Sequence, residues 1–235
     1  MYATVRGVGV YVASEAHTCL SERLYKRTAT RRPVVFFPGG VGGDRKFLTS
    51  TVDGSAVALA LAEAGFPLIS AEFGGPSLWG NATTATRIGQ AWTQVKTELN
   101  TLTDKMLLVG VSQGATAAFN YAKSNPTNVA AIVGLVPAVD IQDIHTNNRN
   151  GSAASIEAAH GGAPPDALNP ADNTASFTAI PHKLYYASDD TTCIASLTTT
   201  FAAASGGTTV NLGAVGHTAA TVDAATVTAF LELYA

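Results

Sequence analysis

Short apolar runs rich in β-branched residues recur along the chain, and most are continuous rather than interrupted by polar residues. Continuous apolar runs of this length are typical of strands that other elements cover on both faces of a parallel sheet. The predicted strands cover residues 4–12, 33–37, 67–73, 105–111, 129–136, 183–187 and 208–212.

Apolar residues at helical spacing lie between these runs. The clearest helical face is formed by Ile88, Ala91, Trp92, Val95, Leu99 and Leu102. Further predicted helices cover 56–64, 115–122 and 222–233, and Gly65 and Pro126 stand where helices end. Strands that alternate with helices predict an α/β fold, with a mostly parallel sheet and helices on both of its faces.

One segment interrupts this alternation. Residues 140–177 are too many for an ordinary connection and are rich in Asn, Gly and Pro. A loop of this length inside a compact domain is usually functional or disordered. A chain of 235 residues with 46% hydrophobic content is of a size that often forms one domain, so we expect a single domain over 1–235 with 140–177 as its insert.

Composition and charge exclude some classes of function. With 13% charged residues and a formal net charge of -3, the chain offers no basic patch for phosphates, so we expect no nucleic-acid partner. No apolar run approaches the roughly 18 residues that a membrane span needs. The N-terminal residues lack a basic segment followed by an apolar block, so we expect no secretory signal.

The two cysteines, Cys19 and Cys193, leave two alternatives open. A disulfide suits an oxidising compartment, whereas two free thiols are the commoner arrangement in a cytosolic protein. No set of His, Cys and carboxylate residues has the sequence spacing of a metal site. We therefore expect no metal and no other cofactor.

Residues 110–114 read GVSQG, with a serine between two glycines. The pattern alone is weak evidence, but here it follows an apolar strand and precedes a helix of small residues. Such a sharp turn holds its central serine in a strained conformation, and the glycines let neighbouring backbone approach. The helix N-terminus points at the serine and can stabilise an oxyanion there. Ser112 is therefore the candidate nucleophile.

A serine at neutral pH needs a base within hydrogen-bonding distance. His217 lies after the last predicted strand, at the same edge of the sheet as Ser112. The base in turn needs a carboxylate, and Asp189 and Asp190 follow another strand at this edge. The remaining histidines fit less well, since they lie before the core pattern, in the insert or at the opposite edge: His17, His145, His160 and His182.

A tetrahedral intermediate needs two N–H donors. One is the backbone of Gln113, directly after the serine. The loop after the second predicted strand is rich in glycine, so its backbone can approach a substrate, and Gly40 is the expected second donor with Gly39 and Val41 beside it. This loop lacks the Gly-Lys-Ser/Thr ending of a phosphate-binding loop. Trp79 is a candidate for lining the acyl pocket, although a tryptophan near a loop more often packs in the core.

Together, the motifs FFPGG, GVSQG, ASDD and GH resemble the α/β-hydrolase superfamily of the esterase and lipase type, from residue 33 to the end of the chain. The resemblance implies that Ser112 is the nucleophile and His217 the base. It also implies that Asp190 is the acid, because the family commonly has a small residue three positions before its acid and Ala187 fills that position.

Some positions depart from the family pattern or leave it open. Asp189 remains an alternative acid, and so does Asp140, since some members place the acid after the strand that ends here near Val136. Pro38 stands where the family commonly has a histidine, and one N-terminal strand stands where the family usually has a hairpin, so we expect a reduced first edge of the sheet. The insert 140–177 falls where the family often places its cap.

The resemblance implies a serine hydrolase that acts on carboxylic esters through an acyl-enzyme on Ser112. Peptidases, thioesterases and acyltransferases use the same residues on this fold, and an inactive module with a structural role is the alternative from another class. The low charge and the bias toward Ala, Thr and Gly are similar to those of actinobacterial and phage hydrolases. That similarity implies an envelope or capsule ester as the substrate, and a small-molecule ester is the other expected substrate. Because we expect no secretory signal, the expected location is cytoplasmic or virion-associated. The oligomeric state stays open.

Overall fold

A nine-stranded sheet forms the centre of the fold in the computed structural model, which describes residues 2–5, 8–13, 21–25, 32–37, 52–71, 77–98 and 104–235. The strands are β1 (Tyr2–Val5), β2 (Val8–Ala13), β3 (Ser21–Tyr25), β4 (Val34–Phe37), β5 (Leu68–Ala71), β6 (Met106–Val111), β7 (Val129–Leu135), β8 (His182–Tyr186) and β9 (Thr208–Asn211). Their order across the sheet is β1-β2-β3-β5-β4-β6-β7-β8-β9.

The strands from β4 onward pair in parallel, as the continuous apolar runs predict. The register places Val111 beside Leu135 and Leu135 beside Tyr185, so the carboxyl ends of β6, β7 and β8 meet at one edge of the sheet. The predicted strands from residue 33 onward are confirmed as strands. The loops that carry the candidate residues after β6 and β8 therefore start at the same edge.

The N-terminal strands correct the prediction of one strand over 4–12. β1 and β2 are an antiparallel pair in which Val5 stands opposite Val8, and β3 is antiparallel to both β2 and β5. The prediction was wrong because an alternating apolar pattern continues unchanged across a tight hairpin. β3 was missed because Glu22 and Arg23 interrupt its apolar pattern, and strand preference depends strongly on neighbouring strands. The first edge of the sheet is therefore extended, and the expectation of a reduced edge was wrong.

Helices cover both faces of the sheet. They are α1 (Val52–Glu63), α2 (Ala82–Glu98), α3 (Gln113–Ser124), α4 (Ile141–Thr146), α5 (Ala153–His160), α6 (Ala195–Ser205) and α7 (Ala224–Glu232). Successive residues of a strand point to opposite faces, so Leu107 packs in a core with α1 and α7, whereas Leu108 packs in a core with α2, α3 and α6. Full burial of one such leucine contributes about 1.5–3 kcal/mol to the free energy of folding. A strand whose side chains are apolar on both faces is therefore most stable in the interior of the sheet, between the two helix layers.

The predicted helices correspond to α1, α2, α3 and α7. On the predicted face of α2, Ile88 and Trp92 are buried, whereas Leu99 and Leu102 lie outside the described residues. No helix in the described part of the chain is both long enough and apolar enough to cross a membrane.

The insert between β7 and β8 is folded into short helical segments. Besides α4 and α5, it contains 3₁₀ turns at Arg149–Gly151, Asp166–Leu168 and Pro170–Phe177. The buried Asn169 side chain donates to Asp140 at 3.2 Å and to Asp172 at 2.9 Å, and it accepts from the backbone N–H of Ile141 at 2.9 Å. Asn169, one of the Asn residues that predicted a loop, thus bonds to both side chains and backbone and helps to order the segment.

Candidate active site

Ser112 occupies the sharp turn between β6 and α3. Its φ of 50° and ψ of -122° are unusual for a residue with a side chain, and such conformations cost about 1–3 kcal/mol. Backbone hydrogen bonds hold it there: its N–H donates to Leu135 at 2.9 Å, and its carbonyl accepts from Ala115 at 3.0 Å and Ala138 at 3.1 Å. The neighbouring strand β7 and the first turn of α3 therefore fix the serine at the edge of the sheet.

Gly110 allows the helix to start this close to the strand. A Cβ atom at this position would lie 2.5 Å from both Cα and N of Ala115 and 2.5 Å from the carbonyl oxygen of Gly114, all of them backbone atoms. Backbone atoms cannot move aside as a flexible side chain can. Gly110 therefore lets the backbone of Gly114 and Ala115 approach the strand closely, as the sequence predicts.

Replacing Gly110 with alanine is expected to lower the free energy of unfolding by about 1–3 kcal/mol, the usual cost of forcing extra atoms into a packed interior. The measurement is urea denaturation of the wild type and G110A. Gly89, where an added Cβ meets nothing within 4 Å, provides the matched control, and G89A is expected to be at least as stable as the wild type because alanine favours helices. Equal stability of G110A and G89A would contradict the close approach.

The side chains of Ser112, His217 and Asp190 form one hydrogen-bonded chain. His217 Nε2 lies 2.9 Å from Ser112 Oγ, and His217 Nδ1 lies 2.7 Å from Asp190 Oδ2. The Asp190 side chain is fully buried, Ser112 is 8% exposed, and the His217 side chain is 26% exposed. The loops after β6, β8 and β9 bring these residues together although 105 positions separate Ser112 from His217.

The other oxygen of Asp190 is held by its own loop. Oδ1 accepts from the backbone N–H of Thr192 at 2.8 Å and from that of Cys193 at 2.9 Å. These two donors fix the rotation of the carboxyl group, so Oδ2 is the oxygen that faces His217. The orientation of the imidazole is therefore set by a carboxylate that is itself fixed.

The two alternative acids make different contacts. Asp189 Oδ1 accepts from the backbone N–H of Gly216 at 2.7 Å and so ties the β8 loop to the loop that carries His217. Asp140 begins α4, where its Oδ1 accepts from the backbone N–H of Asp143 at 3.0 Å. Both carboxylates thus make local structural contacts, whereas Asp190 contacts the imidazole.

The other histidines lie apart from this chain of hydrogen bonds. His145 contacts Glu157 at 3.0 Å within the insert. His182 lies in the core, with Nδ1 at 2.7 Å from the carbonyl oxygen of Ile180, and burial lowers its pKa. Burial also lowers the pKa of His160 at the end of α5. His17 lies outside the described residues.

Only part of the predicted oxyanion hole falls on described residues. Gln113 is the first residue of α3, so its backbone N–H lies at the positive end of the helix dipole, next to Ser112. Gly39, Gly40 and Val41 lie outside the described residues, and their roles stay predictions.

Trp79 lies near the site but is largely buried. It is 6% exposed, has a φ of 46°, and donates from Nε1 to Ser155 Oγ of α5 at 3.1 Å. It packs with Ile156 and Cys193 beneath the insert. Contact with the acyl group of a substrate stays a prediction for this residue.

Cys193 is the neighbour of the site that the sequence did not reveal. It is a buried free thiol, and Cys19 lies outside the described residues. Burial raises the pKa of the Cys193 thiol well above its ordinary value and the nearby Asp190 raises it further, while a hydrogen bond with Ser112 lowers it. The available signal was its position three residues after Asp190, because a tight loop folds such a residue back toward the carboxylate.

Neither the known protein-family models nor the curated proteins match this sequence. Among solved structures, the chain is similar to esterase B from Lactobacillus rhamnosis, with a TM-score of 0.74 and 16% identity over 98% of this chain and 86% of that one. It is similar to a fungal esterase from Rhizomucor miehei, with a TM-score of 0.76 and 13% identity over 97% and 83% of the two chains. A third similar structure is dienelactone hydrolase from Anabaena variabilis, with a TM-score of 0.69 and 16% identity over 97% and 99%.

These neighbours, together with the sheet order and the strained serine after β6, decide the fold. The chain has the α/β-hydrolase fold. The resemblance expected from the sequence motifs is thereby confirmed at the level of the fold. At such low identities the similarity leaves the reaction to be argued from the site itself. The structures named above are bacterial and fungal enzymes, and they lend no support to the expected phage relationship.

Proposed function

We propose that this protein is a serine hydrolase of carboxylic esters. The hydrogen-bonded chain from Ser112 Oγ through His217 to Asp190 carries the proposal, with its distances of 2.9 Å and 2.7 Å. A nucleophile, a base and a group that orients the base are the minimum set for activating a serine. Two of the similar structures are esterases, and this supports an ester, rather than another acyl compound, as the substrate.

The first half of the reaction forms an acyl-enzyme. Asp190 holds the proton of the imidazole on Nδ1, so Nε2 is the nitrogen that accepts the Ser112 proton. As the proton moves to Nε2, Oγ forms a bond with the carbonyl carbon and the carbonyl oxygen becomes an oxyanion. The Gln113 N–H, and in this proposal the Gly40 N–H, donate to that oxygen. Collapse of the intermediate expels the alcohol, which takes its proton from Nε2.

The second half repeats these steps with water. His217 accepts a proton from a water molecule as the water oxygen attacks the acyl carbon, and the Ser112 oxygen leaves with the proton returned from Nε2. The carboxylic acid is released. Throughout, Asp190 stays ionised and stabilises the imidazolium that forms in each step.

We further propose that residues 1–235 form one domain in which 140–177 is the cap over the site. The insert packs on Trp79 and Cys193 through Ile144 and Ile156, and Cys193 directly follows the loop of the acid. A segment in this place shapes the region where an acyl or alcohol group enters. The substrate in this proposal is a small-molecule or envelope ester.

The same three side chains also serve peptidases, thioesterases and acyltransferases, and an inactive module of this fold is the alternative outside the enzymes. The strained backbone of Ser112 favours activity, because a conformation that costs about 1–3 kcal/mol has no use in a turn that only connects a strand to a helix. The exposed edge of His217 also leaves a way for a substrate to reach the base.

A fluorophosphonate probe tests the proposal directly, because it reacts with an activated serine and not with an ordinary one. We expect stoichiometric labelling, which peptide mass spectrometry assigns to Ser112, and turnover of p-nitrophenyl esters. Activity across a series of acyl chain lengths then indicates the size of the acyl site. A folded protein that is neither labelled nor active on any ester of the series would contradict the proposal and favour the inactive module.

A further inference from the structure

Three different metal-binding groups lie together at Asp190, Cys193 and His217. A carboxylate oxygen, the thiol sulfur and one imidazole nitrogen are all within 4.8 Å of one another. The proposed ester hydrolysis uses the carboxylate and the imidazole but has no task for the sulfur. The sulfur is nevertheless buried directly beside both groups, and it also interacts with Ser112.

We propose that this cluster binds a thiophilic divalent cation, with Zn²⁺ as the best fit, and that the bound ion blocks the active site. The binding depends only on the three side chains. The inhibition rests on the proposed function, because it acts on the same imidazole and carboxylate.

The distances suit a tetrahedral ion after small side-chain movements. Zinc bonds of about 2.3 Å to sulfur and about 2.0–2.2 Å to nitrogen and oxygen place tetrahedral ligands roughly 3.3–3.6 Å apart. The present separations of up to 4.8 Å must shrink by at most roughly 1.5 Å, and the 2.7 Å between His217 and Asp190 must open by roughly 0.6–0.9 Å. Rotation of the His217 and Cys193 side chains covers movements of this size while the Asp190 carboxylate keeps its backbone bonds. Ser112 Oγ or a water molecule can then complete the coordination.

The charges in the cluster favour a dication. A thiolate buried beside an ionised carboxylate is unfavourable, and the thiol is therefore protonated in the free protein. A zinc ion compensates both negative charges. On binding, the S–H bond breaks, its proton leaves to solvent, and the sulfur forms a bond to the metal, so no oxidant or reductant is involved.

The donor set also predicts selectivity. One sulfur, one nitrogen and one carboxylate favour Zn²⁺ and similar soft or borderline ions, whereas Mg²⁺ and Ca²⁺ require several oxygen ligands. The partly exposed His217 gives an ion its first point of contact from solvent.

A metal on either ring nitrogen prevents the proton transfer of the proposed reaction. On Nε2 it occupies the lone pair that must accept the proton from Ser112. On Nδ1 it replaces the proton held by Asp190 and leaves the ring proton on Nε2, which then cannot act as a base. Inhibition by zinc is therefore expected to lower kcat toward zero at saturation.

Cobalt binding by the purified protein tests the metal site without any enzymatic assay, because Co²⁺ replaces Zn²⁺ and a cobalt–thiolate bond absorbs in the near ultraviolet. We expect this absorption in the wild type, its loss in C193S and C193A, and its retention in C19S, which controls for the other cysteine. Circular dichroism establishes that the variants are folded. Absence of the band in the wild type, or its loss in C19S instead of C193S, would overturn the proposal.

Zinc inhibition of p-nitrophenyl ester hydrolysis tests the second part. The inhibition constant, measured for each variant against its own uninhibited rate, is expected to rise more than about 100-fold in C193S, since removing even a group that only orients a metal ligand costs about 10- to 100-fold. Mg²⁺ at the same concentrations should not inhibit. Equal zinc inhibition of wild type and C193S would overturn the role of the sulfur. A protein without ester activity that still shows the cobalt band would contradict the proposed function and leave the metal site intact.

Discussion

Replacing Ser112 with alanine is expected to lower kcat for p-nitrophenyl butyrate by about 10⁴- to 10⁶-fold, to the rate that binding and the oxyanion donors sustain without a nucleophile. The reason is that Oγ forms the covalent bond of the acyl-enzyme, so no neighbouring group can replace it. Steady-state kinetics at saturating ester measure the effect. The same variant should show no labelling by a fluorophosphonate probe.

The control for this variant is Ser124, an exposed serine at the other end of α3. S124A should keep the wild-type kcat, since it changes the same helix without touching the site. The thermal midpoints of S112A and the wild type should be close, because alanine keeps the Cβ atom and all the backbone bonds of the turn. Wild-type turnover by a folded S112A protein would show that ester hydrolysis does not pass through this serine.

The parallel part of the fold could be predicted because its signal is local. A strand buried on both faces needs an uninterrupted apolar run, and β6 and β7 both have one. The carboxyl ends of parallel strands lie at one edge of a sheet, so the loops after β6, β8 and β9 place Ser112, the aspartate pair and His217 at the same edge. The N-terminal hairpin lacked such a signal, because alternation does not mark the turn between Val5 and Val8.

The finer features of the site depend on contacts between distant residues. Asp189 and Asp190 are adjacent and follow the same strand, so their positions in the sequence do not distinguish them. Only their contacts do: Asp190 bonds to the imidazole of His217, and Asp189 accepts from the N–H of Gly216. The position of Cys193 beside the imidazole depends likewise on how the loops after β8 and β9 meet. Contacts between residues that are distant in sequence cannot be predicted from their spacing, and this is why Cys193 was not expected beside the imidazole.

Replacing Asp190 with asparagine is expected to lower kcat/KM by about 10⁴-fold, whereas D189N should stay within about tenfold of the wild type. The two backbone donors of Thr192 and Cys193 need an acceptor oxygen at the Oδ1 position. The asparagine must therefore keep its oxygen there and turn its NH₂ group toward His217. That amide donates to Nδ1 and moves the ring proton to Nε2, so the imidazole donates to Ser112 and can no longer accept its proton.

In D189N the same reasoning gives the opposite result. The Asp189 oxygen accepts from the N–H of Gly216, and an asparagine oxygen can accept that bond without affecting the tautomer of His217. D140N likewise keeps an acceptor for the N–H of Asp143 at the start of α4 and should retain activity. Each of the three variants carries one isosteric change. If their thermal midpoints stay near that of the wild type, a loss of activity reflects the wrong tautomer of His217 and not unfolding. A large loss in D189N or D140N, with D190N active, would assign the acid to a different carboxylate.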